Sequence, residues 1–288
     1  MKLGAVFPQT EIGNDPIAIR DYAQAVEGMG YDHLLVYDHV LGADTRTRPD
    51  WRGPYTSDTP FHEVFVLYAY LAALTTQIEL VTGVLVLPQR QTALVAKQAA
   101  QIDLFSGGRL RLGVGVGWNT VEYDALNEDF GTRGARLDEQ IQVLRALWTE
   151  PVVTFNGRWH HIDAAGINPL PVQRPIPIWF GGHADAALRR AAQVGDGWIP
   201  LGKPGAQAQS LVDQLHKYLR EAGRTPAQYG MEGHLAIADE SPATWTQTAD
   251  GWRNLGATHL CVNTMRAGFR SPQEHIDALQ RVINVLRP

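Results

Sequence analysis

Short runs of apolar residues alternate along this chain with longer stretches in which apolar positions recur every three or four residues. The short runs read as strands and the longer ones as amphipathic helices, because side chains repeat every two positions on a strand and about every 3.6 on a helix. Strands are expected at Leu3–Phe7, His33–Tyr37, Glu79–Val86, Arg109–Val116, Ile176–Phe180, Gly197–Pro200, Tyr229–Ala238 and Thr258–Asn263. Helices are expected at Pro16–Met29, His62–Leu74, Ala93–Phe105, Arg133–Trp148, Ala184–Val194, Ala206–Glu221, Pro242–Leu255 and Pro272–Leu286. Asn14 or Asp15 caps the first helix ahead of Pro16, and Gly30 stops it. Leu137, Ile141, Leu144 and Leu147 fall on one face of the fourth. Ile78-Glu-Leu-Val-Thr-Gly-Val-Leu-Val-Leu87 is apolar almost throughout, which suits a parallel strand whose outer side is covered by helices.

Eight strand–helix repeats without a linker predict a single α/β domain over residues 1–288, a (β/α)8 TIM barrel. The rival is a doubly wound open sheet. Its dinucleotide-binding form carries Gly-x-Gly-x-x-Gly at the first strand–helix turn, and Phe7-Pro-Gln-Thr-Glu-Ile-Gly13 does not supply it. Helix-to-strand turns such as Gly30-Tyr-Asp and Ser106-Gly-Gly are short, whereas the strand-to-helix loops after strands two and four are long. In such barrels the strand-to-helix side builds the site. One further insertion precedes strand five, where Val152–His160 reads as a small hairpin turning at Asn156-Gly157.

Composition narrows the function classes. At 288 residues, 44% hydrophobic and 19% charged, the chain is globular and long enough to bury a core without disulfides or a structural metal. A net charge of −5 with singly scattered Lys and Arg gives no nucleic-acid footprint. No charge-free run is long enough for a membrane span. Met1–Phe7 leads straight into a strand rather than a signal peptide, so a cytoplasmic protein is expected. The single cysteine, Cys261, lies in an apolar strand and reads as inert core. No metal site is expected: His160 and His161 are adjacent and point to opposite faces of an extended segment. There is no His-Glu-x-x-His and no Gly-x-Ser-x-Gly turn.

Candidate chemistry gathers at strand ends. Asp38-His39 closes strand two and opens the longest loop. An imidazole titrates near neutrality, so His39 is a candidate to donate a hydrogen bond or relay a proton to a bound ring. Asp38 would orient it or pair with Arg46 or Arg48; a loop-fixing hydrogen bond is the alternative for both. His33, at the start of the same strand, belongs to the stability face. Gly113-Val-Gly-Val-Gly-Trp118 ends strand four, and Phe180-Gly-Gly-His183 ends strand five and leads into a helix. Either glycine run alone serves close packing or anion binding equally; together at one barrel face they point to a phosphorylated cofactor. Glu122, Asp124, Glu128 and Asp129 read as solvated loop charge or partners of Arg133 and Arg136. Trp51, Tyr55, Phe61, Trp118 and Trp179 are candidates for an apolar pocket, core or interface.

The motifs resemble the bacterial-luciferase-like flavin and deazaflavin oxidoreductases, most of all the branch using coenzyme F420. The marks are Met29-Gly-Tyr-Asp-His-Leu-Leu-Val-Tyr-Asp-His39, Leu104-Phe-Ser-Gly-Gly-Arg-Leu-Arg-Leu-Gly-Val-Gly-Val-Gly-Trp118 and Glu122-Tyr123, then Phe130-Gly-Thr-Arg-Gly-Ala-Arg136, Pro177-Ile-Trp-Phe-Gly-Gly182 and Ala192-Gln-Val-Gly-Asp-Gly-Trp198. The resemblance spans essentially the whole chain. It implies a luciferase-like barrel, a homodimer, and a tricyclic cofactor ring held over the carboxyl ends of the strands. Asp38 and His39 would lie beside that ring as catalytic residues, and a non-proline cis peptide, Gly83-Val84, would back it. Gly115, Val116 and Gly117, with Phe180, Gly181 and Gly182, would wrap the ribityl phosphate.

Trp118 stands where the sugar-phosphate dehydrogenases of this family carry an acidic residue. It would cover the cofactor or line an apolar substrate pocket instead. F420 is expected over FMN, because Ser106-Gly-Gly-Arg109 and the Trp118/Glu122-Tyr123 arrangement look more like the deazaflavin branch. Arg46, Arg48 and Arg52 could accept the oligoglutamate tail of F420 or simply pair with Asp44 and Asp50. The implied reaction is hydride transfer between F420 and a largely apolar organic substrate, with a separate reductase or dehydrogenase supplying reduced cofactor. The alternatives are an FMN-dependent monooxygenase using O2 and a cofactor-binding barrel without turnover.

Overall fold

In the computed structural model, which describes residues 1–239 and 241–287, the expected strands pair in parallel and close on themselves. The strands are β1 (Lys2–Val6), β2 (His33–Val36), β3 (Glu79–Thr82), β4 (Leu85–Val86), β5 (Leu110–Gly115), β6 (Val153–Asn156), β7 (His161–Ala165), β8 (Ile178–Gly181), β9 (Gly197–Ile199), β10 (Gly230–Ala236) and β11 (His259–Asn263). Their order is β3-β2-β1-β11-β10-β9-β8-β5-β4, and pairing of β3 with β5 completes the ring. The helices are α1 (Pro16–Gly28), α2 (Val64–Leu74), α3 (Thr92–Ser106), α4 (Thr120–Ala125), α5 (Arg133–Thr149), α6 (Asp185–Val194), α7 (Ala206–Glu221), α8 (Pro242–Asn254) and α9 (Pro272–Leu286). The fold is the expected (β/α)8 barrel.

Three local differences matter. The third barrel strand is split into β3 and β4, and the Gly83-Val84 peptide between them is cis. A Cβ on Gly83 would stand 2.3 Å from Leu35 Cδ2, so glycine is required for the strands to approach there. The loop after β5 contains a short helix, α4, that periodicity does not announce because six residues are under two turns. The hairpin before β8 turns through residues 157–160 rather than tightly at Asn156-Gly157. Glu139 of α5 accepts hydrogen bonds from the backbone N–H groups of Arg158, Trp159 and His160, all at 2.8 Å, and so sets the wider turn.

Two apolar clusters fill the molecule. The larger lies between the strands and the helices; the smaller, Val6, Leu35, Val81, Cys261 and Met265 with Tyr37, lies inside the barrel. Cys261 is the inert core thiol expected, its pKa pushed up by burial.

At the amino-terminal ends of the strands the interior becomes polar. His33 Nε2 lies 2.7 Å from Glu232 Oε1, and Arg111 Nη1 donates to Glu232 Oε2 at 2.6 Å. Arg111 also pairs with Glu79 at 3.1 Å and lies 4.1 Å from the ring centroid of Trp179. A Cβ at Gly4 would fall 2.0 Å from His33 Nε2, so this glycine gives the imidazole its space. Burial alone would raise the Glu232 carboxyl, but His33 and Arg111 outweigh it and hold it well below the usual range.

Candidate active site at the barrel mouth

His39 leaves the carboxyl end of β2 and is 7% exposed. Its Nδ1 lies 3.1 Å from Glu122 Oε1. The same oxygen accepts the backbone N–H groups of Val40 and Leu41, the latter at 2.9 Å, and Oε2 accepts from Gln89 Nε2 at 3.2 Å. Glu122 can do this because α4 carries it. Asn119 caps that helix by accepting from Val121 N–H, and its Nδ2 donates to Leu41 O at 3.1 Å. Burial pushes the Glu122 carboxyl up, but the bonds from His39, Leu41 and Val40 prevail and hold it below its ordinary value. It is therefore an ionised, acceptor-only group.

His39 Nε2 is buried and has no hydrogen-bond partner among the described residues. Phe61 meets the imidazole edge-on with ring centroids 4.9 Å apart, and Tyr55 lies at 5.4 Å. Trp51 anchors this wall by donating from Nε1 to Tyr55 O at 3.0 Å, and contacts Trp118 across 5.7 Å. The loops after β2 and β5 thus meet through an aromatic seam at the outside and through Glu122 underneath.

The luciferase-like monooxygenase family matches residues 2–281. The chain belongs to this family. Rv0940c of Mycobacterium tuberculosis is 36% identical over 258 residues, covering 87% of this chain and 84% of that one. An F420-dependent glucose-6-phosphate dehydrogenase of Kineococcus radiotolerans is 28% identical over 84% of this chain and 70% of its own. An FMNH(2)-dependent dimethylsulfone monooxygenase of Pseudomonas putida is 30% identical over 68% of this chain and 52% of its own. Among solved structures, an F420-dependent secondary alcohol dehydrogenase with an F420-acetone adduct superposes with a TM-score of 0.79. That similarity covers 100% of this chain and 99% of the other at 17% identity, a likeness of fold.

Within this luciferase-like barrel, Asp38 neither orients His39 nor meets Arg46 or Arg48. Its carboxylate accepts from Arg90 Nη2 at 2.7 Å and from Val86 N–H at 2.9 Å, tying the end of β2 to β4. The reason is reach: Arg90 is drawn in between Asp38 and Glu63, while Arg46 is taken by Asp44 and Arg48 by Thr47. Arg52 donates to Pro49 O and Trp51 O, so all three loop arginines have local partners. Burial pushes the Asp38 carboxyl up, with Arg90 and Val86 N–H pulling against it.

Glu122, expected to be loop charge or a partner of Arg133 or Arg136, is instead the residue brought to His39. Glu128 does pair with Arg136, at 2.7 Å. Of the readings open for Trp179, the structure gives core: it lies under the Arg111 guanidinium and meets His259 edge-on in the floor.

The glycines divide by role. A Cβ at Gly115 would lie 2.6 Å, and one at Gly181 2.8 Å, from the Val84 side chain. A Cβ at Gly117 would lie 2.6 Å from Val86. These three therefore have a packing reason. Val116 O accepts the Tyr123 hydroxyl at 2.7 Å, and Phe180 packs in the core. Gly182 differs: at φ 105° it turns the chain into α6, whose cap residue Ala184 offers no side-chain acceptor. The neighbouring Asp185 carboxylate is engaged by Arg189, Gln214 and Tyr218. A glycine turn ahead of uncapped first-turn N–H groups, and an unmatched buried imidazole nitrogen, both fit a phosphorylated ring cofactor. No helix among the described residues is long and apolar enough to cross a membrane.

Proposed function

We propose that this chain is an oxidoreductase that transfers a hydride between coenzyme F420 and a largely apolar organic substrate. The observation that carries the reading is His39: buried at the barrel mouth, held at Nδ1 by Glu122, and unmatched at Nε2. A buried polar atom without a partner costs about 1–3 kcal/mol, which a ligand group bonding to it would recover. F420, when bound, supplies the hydride chemistry of its 5-deaza ring. His39 holds or moves the accompanying proton at Nε2, and Tyr55 and Phe61 keep water from it. The first turn of α6 and Gly182 grip the phosphate, with Gly83, Val84, Gly115, Val116, Gly117, Trp118, Phe180 and Gly181 around the ring and ribityl chain. The aromatic seam of Trp51 and Trp118 favours an apolar substrate over a sugar phosphate. A separate enzyme regenerates the cofactor.

The choice of F420 is supported by the Kineococcus relative, which matches 84% of this chain against 68% for the Pseudomonas one. The latter's higher identity favours the second reading, an FMN-dependent monooxygenase. Homodimer formation is supported by α2, where Val66, Ala69, Tyr70 and Ala73 leave an apolar stripe exposed.

The test is calorimetric titration of the cofactor-free protein with oxidised F420 and FMN side by side, with His39→Ala in parallel. F420 should bind more tightly, and His39→Ala should lower turnover about 100-fold or more while changing cofactor affinity only a few-fold. Tighter FMN binding with oxygen-dependent product overturns the cofactor. Equal loss of turnover and affinity overturns the role given to His39, and binding without turnover on a broad substrate panel favours a non-catalytic barrel.

A further inference from the structure

We propose that Glu122 is a positioning residue that fixes His39 in its Nδ1–H tautomer and so leaves Nε2 as the ring's free acceptor. The inference rests on the reading of His39 above and adds which nitrogen does the work. A neutral imidazole has one donor and one acceptor nitrogen, and an ionised carboxylate only accepts. With Glu122 Oε1 3.1 Å from Nδ1, the proton belongs on Nδ1. The carboxylate is itself immobilised: Val40 and Leu41 N–H bind the same oxygen, and Gln89 binds the other. Three consecutive donors, His39, Val40 and Leu41, and a fourth from Gln89 leave it no freedom to turn toward Nε2. A hydrogen-bonded carboxylate on the far ring nitrogen is the general device by which an imidazole's tautomer and orientation are set.

The same strand holds an internal control. His33 approaches Glu232 through Nε2, at 2.7 Å, and its Nδ1 has no partner among the described residues. The two histidines should therefore be opposite tautomers when neutral, His39 protonated on Nδ1 and His33 on Nε2. Glu122 also spans two loops, since its first-turn position on α4 is joined to the backbone just beyond His39. Its loss would release the imidazole and the start of the loop after β2 together.

The experiment is long-range 1H–15N NMR on histidine-labelled, cofactor-free protein, with pH stepped upward until the rings are neutral and signals assigned with His33→Gln and His39→Gln. Opposite tautomers for the two residues are expected in the wild type. An Nε2–H form of His39 overturns the proposal whatever the variants do. Glu122→Ala should abolish the Nδ1–H preference, whereas Glu122→Gln, which retains an acceptor oxygen, should restore most of it. A folded Glu122→Ala protein with an unchanged tautomer also overturns it. If Glu122→Ala does not fold, the wild-type and Glu122→Gln spectra decide.

With cofactor added, Glu122→Ala should lower kcat about tenfold or more with KM for the organic substrate changed only a few-fold. Glu122→Gln should recover most of that loss. Because the tautomer is read without cofactor, failure of F420 to bind would defeat the functional reading and leave this result standing.

Discussion

One strand, β2, runs between two buried histidine–carboxylate pairs that the protein uses in opposite ways. At the floor, His33 and Glu232 are joined by Arg111, which brings Glu79 and the face of Trp179 with it. Glu232 has partners on both oxygens. At the mouth, His39 and Glu122 are also buried, but no ion pair with an arginine joins them among the described residues, and the imidazole lies beside two aromatic rings. The floor carboxylate is completed by a charge, and the mouth carboxylate by backbone N–H groups and Gln89. Burial and residue type are nearly the same in the two places. Each ring keeps one nitrogen without a partner, so what separates the structural histidine from the candidate catalytic one is its place, in a charged network at the floor or between two loops at the mouth.

The sharpest way to break this contrast is Arg111→Met. Removing one member of a buried ionic network strands the others without compensation, at about 3–5 kcal/mol. Urea unfolding should show a loss of that size, while the His39 tautomer stays as in the wild type. A loss under about 1 kcal/mol would mean that Glu232 does not depend on Arg111.

Acid gives a smaller effect with a defined direction. Burial, then Arg111 and His33, depress the His259 pKa from 6.5 to about 3, so the native ring stays neutral while the unfolded one takes up a proton. Between those values the unfolded state binds more protons, so stability falls as pH falls, by at most about 1.4 kcal/mol per pH unit for one group. Glu232, held below 4.5, adds its own loss once pH drops through 4.5. Between pH 6.5 and 4.5 His259→Gln should therefore flatten the stability profile measured by urea midpoints. An unchanged slope would remove His259 from the floor's account.

The smallest effect belongs to the outer seam. Trp118 is 44% exposed, so Trp118→Ala should leave stability within about 0.5 kcal/mol. If the seam lines the substrate path, KM for apolar substrates should rise several-fold. No change in KM would make Trp118 a surface residue only.

The barrel was legible because each strand–helix unit repeats a local pattern, and local patterns need no partner to be read. The end of β2 as a mouth, the cis bond at Gly83-Val84 and the inert Cys261 followed from position in that repeat or from the resemblance it carried. The site's wiring was less legible. Glu122 lies far along the chain from His39, and only a helix too short to show periodicity brings it there. Arg90 reaches Asp38 from another loop in the same way. The floor network draws His33, Glu79, Arg111 and Glu232 from four strands, and their contact depends on register around a closed ring. Trp179 stayed open between pocket, core and interface because residue type does not tell floor from mouth, and it lies in the core.

Val84 has a consequence for how this site can change over time. Its branched side chain occupies the space beside both Gly115 and Gly181, on two different strands. Adding bulk at either glycine collides with it, so enlargement must begin with a smaller residue at 84, which opens a gap before anything fills it. The route to a differently shaped mouth therefore passes through a looser intermediate. Lineages that alter substrate preference would be expected to vary the outer aromatic loops first and to leave this trio locked together.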